Sequence, residues 1–271
     1  MPEGPEIRRA ADRLQRAIVD QPLRGVWFAF ESLKRHEPLL AGSRVRAIET
    51  RAKALLTHFD CGLSVYSHNQ LYGRWYTCKP DRPPATTRTL RFAVYGERAD
   101  ILLYSASDIE VLDAAGIAEH RFLNRLGPDL LHPQTTLERV LAHIQHPARA
   151  RRRLADLLLD QGFLAGIGNY LRSEILHDAA LLPTRKLGTL SPAEQQALAA
   201  SALRITQRAY ALAGVTNEPQ RAAQLKAAGL GFAARRHAVF HRAGQPCYRC
   251  GGSIASATAN RRMDWCPGCQ F

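Results

Sequence analysis

The first residues of the chain carry types suited to covalent chemistry. The chain opens with MPEGPE, so removal of Met1 would leave Pro2 with a free secondary amine beside the carboxylate of Glu3. Such an amine can attack an aldehyde-level carbon and form an iminium ion, which has no N–H to lose and stays cationic. An α-amine has a pKa of about 8, against about 10.4 for lysine, so more of it is nucleophilic at neutral pH. The simpler interpretation is that Pro2 only precedes a helix.

Four cysteines stand near the other end of the chain. Cys247 and Cys250 form one close pair, and after fifteen intervening residues Cys266 and Cys269 form a second. Two such pairs can supply four thiolates to one tetrahedral Zn(II) ion and so stabilise the hairpin between them. Disulfides are the alternative, but the start of the chain lacks the pattern of a secretory signal, so we expect zinc.

The charge of the chain indicates its partner. There are 37 Lys and Arg against 24 Asp and Glu, a formal net charge of +13, and residues 221–262 contain basic side chains but no Asp or Glu. A surplus of this size attracts polyanions, so nucleic acid is the leading partner and an acidic membrane surface the second. No apolar stretch reaches the roughly 18 residues of a membrane span, and we expect a soluble, cytosolic protein.

Arg261 and Arg262 precede the second cysteine pair. They favour phosphate contact, which needs only a guanidinium, although a hairpin could instead deliver one arginine to a reaction site.

Three shorter motifs each have two interpretations. Gln70-Leu71-Tyr72 could enter a duplex and fill the gap left by an extruded base, or could be rim residues of a core. The glycine-rich turn 162–170 could bring a helix N-terminus and Asn169 close to a phosphate, or could be a tight packing turn. Lys53, followed by apolar residues, could be held by a strand close to a site, but a solvated strand-edge lysine is the simpler interpretation.

Periodicity predicts how the chain is organised. Apolar residues at helical spacing predict a helix over 6–19, and short β-rich runs between 26 and 112 predict a sandwich or barrel. After Gly127 the pattern predicts helices, including a long one whose start is marked by Ser191 and Glu194 as a capping box.

Taken together, the MPEGPE opening, Lys53, Gln70-Leu71-Tyr72, the turn at 160–170 and the cysteine module resemble the formamidopyrimidine-DNA glycosylase and endonuclease VIII family over essentially the whole chain. The resemblance implies an α+β multidomain fold. Its expected parts are an N-terminal β-sandwich with an N-terminal helix (1–125), a helix-two-turn-helix domain (126–213) and a C-terminal four-cysteine zinc-finger β-hairpin (237–271). Between the last two, the residues Gly214, Asn217, Pro219, Gly229 and Gly231 predict a flexible loop (214–236), in which 221–228 could form a turn or two of helix.

The resemblance also implies a role for each motif residue. Pro2 would attack C1′ of the damaged nucleoside, Glu3 would act as general acid for ring opening or base departure, Lys53 would support β-elimination, and Arg261 would assist δ-elimination. The implied DNA contacts are Gln70, Leu71, Tyr72, Arg125 and Asn169, with Asp129 and Glu174 as supporting polar residues and Cys247, Cys250, Cys266 and Cys269 as metal ligands.

The function implied is that of a bifunctional DNA glycosylase and AP lyase of base excision repair, acting on oxidised pyrimidines such as thymine glycol and dihydrouracil in double-stranded DNA. One structural zinc ion, no redox cofactor, no membrane and a monomer in the bacterial cytoplasm are expected. The alternatives are an 8-oxoguanine or formamidopyrimidine glycosylase and a non-catalytic zinc-finger DNA-binding protein. The chain departs from the family pattern at Ala52, where the pattern has glycine, and in a longer 214–236 segment.

Overall fold

The structure is a computed structural model that describes residues 2–258 and 261–271. The chain divides into two compact units, one of Pro2 and Ile7–Arg125, the other of Glu3–Glu6 and Leu126–Phe271. In the part of the chain described, no helix has the length and apolar character needed to cross a bilayer.

The first unit is a β-sandwich. Its elements in chain order are α1 (Gly4–Ile18, of which the first turn belongs to the second unit), β1 (Leu23–Phe28), α2 (Glu31–Lys34), α3 (Glu37–Ala41), β2 (Val45–Arg51), β3 (Ala54–Phe59), β4 (Ser64–His68), β5 (Arg74–Cys78), β6 (Leu90–Gly96), β7 (Asp100–Tyr104), β8 (Asp108–Leu112) and α4 (Ala114–Glu119). Two antiparallel sheets have strand orders β1-β6-β7-β5 and β2-β3-β4-β8.

The sandwich core comes from the inward-facing residues of both sheets. Phe28 and Phe92 from one sheet pack in the same cluster as Val65 from the other, and the rings of Phe28 and Phe92 stack at 4.8 Å. Helix α1 adds Leu14 and Ile18 to this cluster, because its apolar residues recur at helical spacing. The helix expected over 6–19 is therefore confirmed.

The second unit is helical with a small hairpin at its end. Its elements are α5 (Leu137–Ile144), α6 (Leu154–Leu157), α7 (Asn169–Asp178), α8 (Pro192–Ala211), α9 (Pro219–Ala227), α10 (Phe232–Arg236), β9 (Ala255–Ala257) and β10 (Met263–Trp265). Helix α7 is buried from Tyr170 to His177, and α8 begins with the expected capping box of Ser191 and Glu194. Strands β9 and β10 pair antiparallel. The α+β fold class is confirmed.

The segment 214–236 differs from the expected flexible loop, because it contains α9 and α10. Helix α9 begins with Pro219 at its first position and continues through Ala, Gln, Leu and Lys, which are good helix formers. It ends before Gly229, whose φ of +81° lies in the left-handed region. Gly229 and Gly231 therefore lie between two short helices, and the helix considered for 221–228 is present as part of α9.

Candidate active site and metal centre

The carboxylate of Glu3 caps the N-terminus of α7. Glu3 is only 3% exposed. Its Oε2 accepts hydrogen bonds from the backbone N–H groups of Gly168 at 2.7 Å and Leu171 at 3.3 Å, and its Oε1 accepts one from Tyr170 at 3.0 Å. A helix N-terminus favours negative charge and offers unpaired N–H donors. The contacts therefore stabilise the ionised carboxylate and fix the start of the chain.

Two glycines allow this close approach. A Cβ on Gly168 would lie 2.3 Å from Cδ of Glu3, and a Cβ on Gly4 would lie 3.1 Å from Cα of Gly166. The backbone N–H of Gly4 donates to the carbonyl of Gly166 at 2.8 Å. The glycine-rich turn was expected either to receive a phosphate or to pack tightly; in the structure it receives the Glu3 carboxylate.

Asn169 is the first residue of α7 and lies between the residues that Glu3 binds. Its backbone carbonyl accepts a hydrogen bond from the Ser173 hydroxyl at 3.1 Å. Its Oδ1 is buried and has no partner among the described residues. A buried polar atom that lacks a hydrogen-bond partner at a helix N-terminus is suited to contact with a ligand.

A second carboxylate, Glu6, joins the N-terminal turn to the segment 214–236. The Tyr170 hydroxyl donates to Glu6 at 3.0 Å, and Nη2 of Arg236 pairs with it at 2.9 Å. The Arg236 guanidinium also lies over the Tyr170 ring and donates through Nε to the carbonyl of Gly214 at 2.7 Å. Burial, with the charges of Glu6 and Glu3, raises the pKa of Tyr170 well above its usual value. The phenol therefore serves as a neutral hydrogen-bond donor.

Lys53 lies at the turn between β2 and β3 in the first unit. It is 7% exposed, although lysines are rarely buried. Ala52, beside it, has a φ of +59°, in the left-handed region that glycine adopts without strain. Burial lowers the pKa of His68, and the charge of Lys53 contributes to that shift. The lysine is thus buried in the sandwich and is not a solvated strand-edge residue, while its closeness to a reaction site stays a prediction.

The Gln70-Leu71-Tyr72 loop projects from the first unit between β4 and β5. Leu71 is 62% exposed and Tyr72 is 69% exposed. The loop is closed beneath them, because Gly73 N–H donates to the carbonyl of Asn69 at 2.7 Å, and Gln70 Oε1 accepts from the Ser107 hydroxyl at 2.7 Å. An exposed leucine and tyrosine on a closed turn fit insertion into a base stack better than a place in the core.

Arg125 lies at the end of a 3₁₀ turn, Leu123–Arg125, beside an open cavity of about 470 Å³ in the first unit. Gln70 and Phe122 also line this cavity. Arg125 is exposed and available to a phosphate.

The four cysteines come together as a cluster in the second unit. Their Sγ atoms all lie within 4.8 Å of one another, with 3.8 Å between Cys247 and Cys269 and 3.4 Å between Cys250 and Cys266. Metal–sulfur bonds of about 2.3 Å in a tetrahedron place neighbouring sulfurs about 3.8 Å apart. The four thiols therefore fit a tetrahedral, thiophilic metal ion.

The two residues expected to support the site, Asp129 and Glu174, both accept hydrogen bonds from backbone N–H groups. The Glu174 carboxylate accepts backbone N–H bonds from Ala238, Val239 and Phe240, each at 2.8–2.9 Å, and a hydroxyl bond from Thr216. It thereby joins α7 to the start of the cysteine module. Asp129 Oδ1 accepts the N–H of Leu131 at 2.9 Å and so closes a turn.

Arg261 and Arg262 differ in their surroundings. Arg262 pairs through Nε with the buried Asp264 at 2.9 Å, whereas Arg261 is exposed and its guanidinium has no partner among residues 2–258 and 261–271. The buried Arg172 of α7 donates to the backbone carbonyls of both.

The chain is similar in sequence to known protein families and to named proteins. Residues 1–105 match the formamidopyrimidine-DNA glycosylase N-terminal domain, and residues 126–220 match the formamidopyrimidine-DNA glycosylase H2TH domain. Proteins named Endonuclease 8 from Escherichia coli and Klebsiella pneumoniae are 49% and 48% identical over 271 residues, all of both chains. The chain belongs to the formamidopyrimidine-DNA glycosylase and endonuclease VIII family.

Solved structures show the same fold as this family member. A Lactococcus lactis formamidopyrimidine-DNA glycosylase bound to DNA with an AP site superimposes with a TM-score of 0.80 at 19% identity, covering 99% of each chain. MutM in complex with DNA containing carbocyclic 8-oxo-G does so with a TM-score of 0.80 at 20% identity, again covering 99% of each.

Several residues around the candidate site were not predicted from the sequence. Glu6, Tyr170, Arg236 and Asp264 make buried and partly buried contacts around Glu3 and the hairpin. Glu6 stands 230 positions from its partner Arg236, so no local spacing indicated the pair. The one available signal was the glutamate at the second acidic position of the MPEGPE opening.

Proposed function

We propose that this protein removes oxidised pyrimidines from double-stranded DNA through an iminium link to Pro2 and then cuts the strand by β,δ-elimination. Its family makes it a bifunctional DNA glycosylase and AP lyase of base excision repair. The observation that carries the proposal is the fixed position of Glu3: a buried carboxylate held by three N–H donors immediately follows the residue that would be the nucleophile.

The chemistry begins at C1′ of the damaged nucleotide. The lone pair of the Pro2 amine forms a bond to C1′, and the glycosidic C1′–N bond breaks with its electrons passing to the base, which takes up a proton. The new ammonium loses its proton as the C1′–O4′ bond opens, which leaves an iminium ion and a hydroxyl on C4′. Base loss and strand cutting then share one covalent intermediate.

Glu3 would carry the proton between these two steps. Its ionised carboxylate accepts the proton of the Pro2 ammonium and passes it to O4′ as the sugar opens, which is the general acid role expected from the family. The three N–H donors favour the carboxylate over the carboxylic acid, so the group is anionic again once the proton has passed to O4′. A carboxylate fixed in this way needs little reorganisation during the reaction.

Strand cutting follows from the positive charge of the iminium ion, which acidifies the C2′ proton. In β-elimination that proton leaves and the C3′–O bond breaks, so the 3′ phosphate departs with the electron pair. Lys53 would support this step through its buried ammonium. In δ-elimination the C4′ proton passes to solvent and the C5′–O bond breaks, with Arg261 assisting the second departing phosphate.

The remaining residues would bind the substrate. Leu71 and Tyr72, both exposed, would fill the gap left by the extruded nucleotide, with Gln70 beside the orphaned base. Arg125 and Asn169 would contact the DNA backbone.

A zinc ion held by Cys247, Cys250, Cys266 and Cys269 would stabilise the hairpin and take no part in the chemistry.

The choice of oxidised pyrimidines is supported by the curated relatives, which are named Endonuclease 8. It is tested by excision from three matched duplexes that contain thymine glycol, dihydrouracil or 8-oxoguanine. We expect faster excision of the two pyrimidine lesions. A faster rate on 8-oxoguanine would assign the chain to the purine-specific branch, and binding without excision of any lesion would support the non-catalytic alternative.

A further inference from the structure

Two adjacent arginines, Arg261 and Arg262, precede β10 and have different environments. The Nε of Arg262 lies 2.9 Å and 3.2 Å from the two carboxylate oxygens of Asp264, which is 0% exposed. A buried carboxylate without a cationic partner is strongly disfavoured. Arg262 is therefore committed to Asp264, and Arg261 is the arginine of the two that is available to a substrate.

Asp264 ties the hairpin to the rest of the second unit. Its Oδ2 accepts the backbone N–H of His241 at 2.7 Å, and its own N–H donates to the hydroxyl of Ser173 on α7 at 3.2 Å. The ion pair with Arg262 thus completes a set of contacts that holds the start of β10 on α7. Any shift of this strand would also move Arg261.

Arg172 holds the backbone of the two arginines from the inside. It is 4% exposed, and its Nη2 donates to the carbonyls of Arg261 at 3.3 Å and Arg262 at 2.8 Å. Its Nη1 donates to the carbonyl of Ala155 at 3.3 Å. The peptide that carries the Arg261 side chain is therefore fixed, although that side chain is exposed.

Arg261 faces a basic cavity. It lines an open space of about 460 Å³ whose other charged lining residues are three arginines and two aspartates: Arg152, Arg153, Arg172, Asp156 and Asp160. Arg152 pairs with Asp160 on the same wall, whereas Arg153 has no ion-pair partner among the described residues. A phosphate group in this space would meet the guanidinium groups of Arg153 and Arg261.

We propose that Arg262 is a positioning residue for δ-elimination, which acts by holding Arg261 where the departing phosphate forms. The inference rests on the proposed function. When the C4′ proton passes to solvent and the C5′–O bond breaks, the electron pair goes to the phosphate, and Arg261 pairs with the charge that develops there. Arg262 contacts Asp264 and not the substrate. Loss of Arg262 lets Arg261 occupy more positions, so δ-elimination slows while β-elimination proceeds.

The test measures the ratio of δ- to β-elimination products on a 5′-labelled duplex with one abasic site. The δ product ends in a 3′ phosphate and migrates faster than the β product, which ends in an unsaturated aldehyde. We expect Arg261→Ala to lower the ratio at least tenfold and Arg262→Ala to lower it at least threefold. Arg262→Lys keeps a positive charge near Asp264 and should recover part of the loss. Arg204→Ala, which removes an exposed arginine of α8, is the matched control and should leave the ratio unchanged.

Three results would overturn the positioning role. One is an unchanged ratio in Arg262→Ala. Another is a fall in all rates in proportion to zinc content, because that would show general loss of structure. The third is a lowered ratio in Arg262→Ala with a normal ratio in Arg261→Ala, which would reverse the two roles.

If Arg262→Ala does not fold, Arg262→Lys and Asp264→Asn replace it. Arg262→Lys weakens the ion pair but keeps a positive charge beside Asp264, and Asp264→Asn weakens it by removing the buried negative charge. Both should lower the ratio, and a wild-type ratio in both would contradict the inference. A wild-type chain that makes neither product contradicts the proposed function instead. The two failures are therefore distinguishable.

Discussion

The Oε2 atom of Glu3 lies 2.7 Å from the backbone nitrogen of Gly168, the residue that caps α7. This contact joins the third residue of the chain to a helix 165 positions away. The carboxylate neutralises the positive end of the helix, and the helix fixes the carboxylate. Substitution on either side should therefore affect both stability and catalysis.

Gly168→Ala should displace Glu3, because the new Cβ would lie 2.3 Å from its Cδ. Loss of hydrogen bonds to a buried charged group costs about 1.5–3 kcal/mol each, and we expect a fall of about 2–4 kcal/mol in the free energy of unfolding. The glycosylase rate should fall at least tenfold. Gly231→Ala is the control, since a Cβ there meets nothing within 4 Å. Equal behaviour of the two variants in denaturant unfolding would contradict the close packing of Glu3.

Leu71→Ala and Tyr72→Ala should weaken excision from duplex DNA without lowering stability, because both side chains are more than 60% exposed. Contacts between aromatic side chains and bases are worth about 1–3 kcal/mol each, so we expect roughly a tenfold loss of duplex excision for Tyr72→Ala. Leu39→Ala replaces a leucine that is 55% exposed and serves as the control. A normal excision rate in both loop variants would exclude a gap-filling role for the loop.

The cysteine cluster should bind one zinc ion per chain, measured by metal analysis of the purified protein. Chelation, or Cys247→Ser, should release it and lower DNA affinity, because the hairpin has only a small apolar cluster of its own. Cys61→Ser changes an exposed thiol in the first unit and should retain the metal. Full metal content in Cys247→Ser would contradict the four-thiolate site.

Stability should fall between neutral pH and pH 5.5 through His237. Burial, with smaller effects of Arg236 and His241, lowers the pKa of His237 to about 3, below its usual value near 6.5. The unfolded state therefore binds a proton as the pH falls through about 6.5, while the folded state stays neutral until about pH 3. At pH 5.5, one unit below 6.5, the free energy of unfolding is therefore lower by about 1.4 kcal/mol.

His237→Phe should reduce that slope by the contribution of His237, when unfolding by urea is compared at pH 7.5 and 5.5 with metal content checked at both. In the folded protein the Thr216 hydroxyl donates to Glu174, so it must accept the Nδ1 hydrogen of His237 at 2.8 Å. Burial of the ring, rather than this contact, keeps the imidazole neutral. Identical pH slopes in wild type and variant would contradict the assignment.

Local signals in the sequence predicted some elements well. Ser191 and Glu194 predicted the start of α8 because a capping box acts within four residues, and the paired cysteines predicted their cluster because short loops keep ligands together. The exposure of Leu71 and Tyr72 could not be decided from their types. Their loop is closed by Asn69 and Gly73, a contact visible only in three dimensions.

Long-range contacts explain what could not be predicted. The glycines of 162–168 were consistent with a phosphate site because a helix N-terminus accepts any anion, and nothing local indicated that the anion is Glu3. The separation of Arg261 from Arg262 depended on Asp264 being buried, which sequence spacing does not show. Partners far apart in sequence are chosen by the folded topology, and local patterns carry no information on them.

The central claim is that Pro2 is the nucleophile, and the most direct measurement is borohydride trapping on a thymine glycol duplex followed by mass spectrometric mapping of the linked residue. Borohydride reduces the iminium ion to a stable amine, so we predict a covalent protein–DNA adduct on Pro2. A variant with one extra residue before Pro2 should bind the duplex and give no adduct. Absence of an adduct with wild-type protein whose first residue is Pro2, or an adduct mapped to Lys53, would contradict the claim.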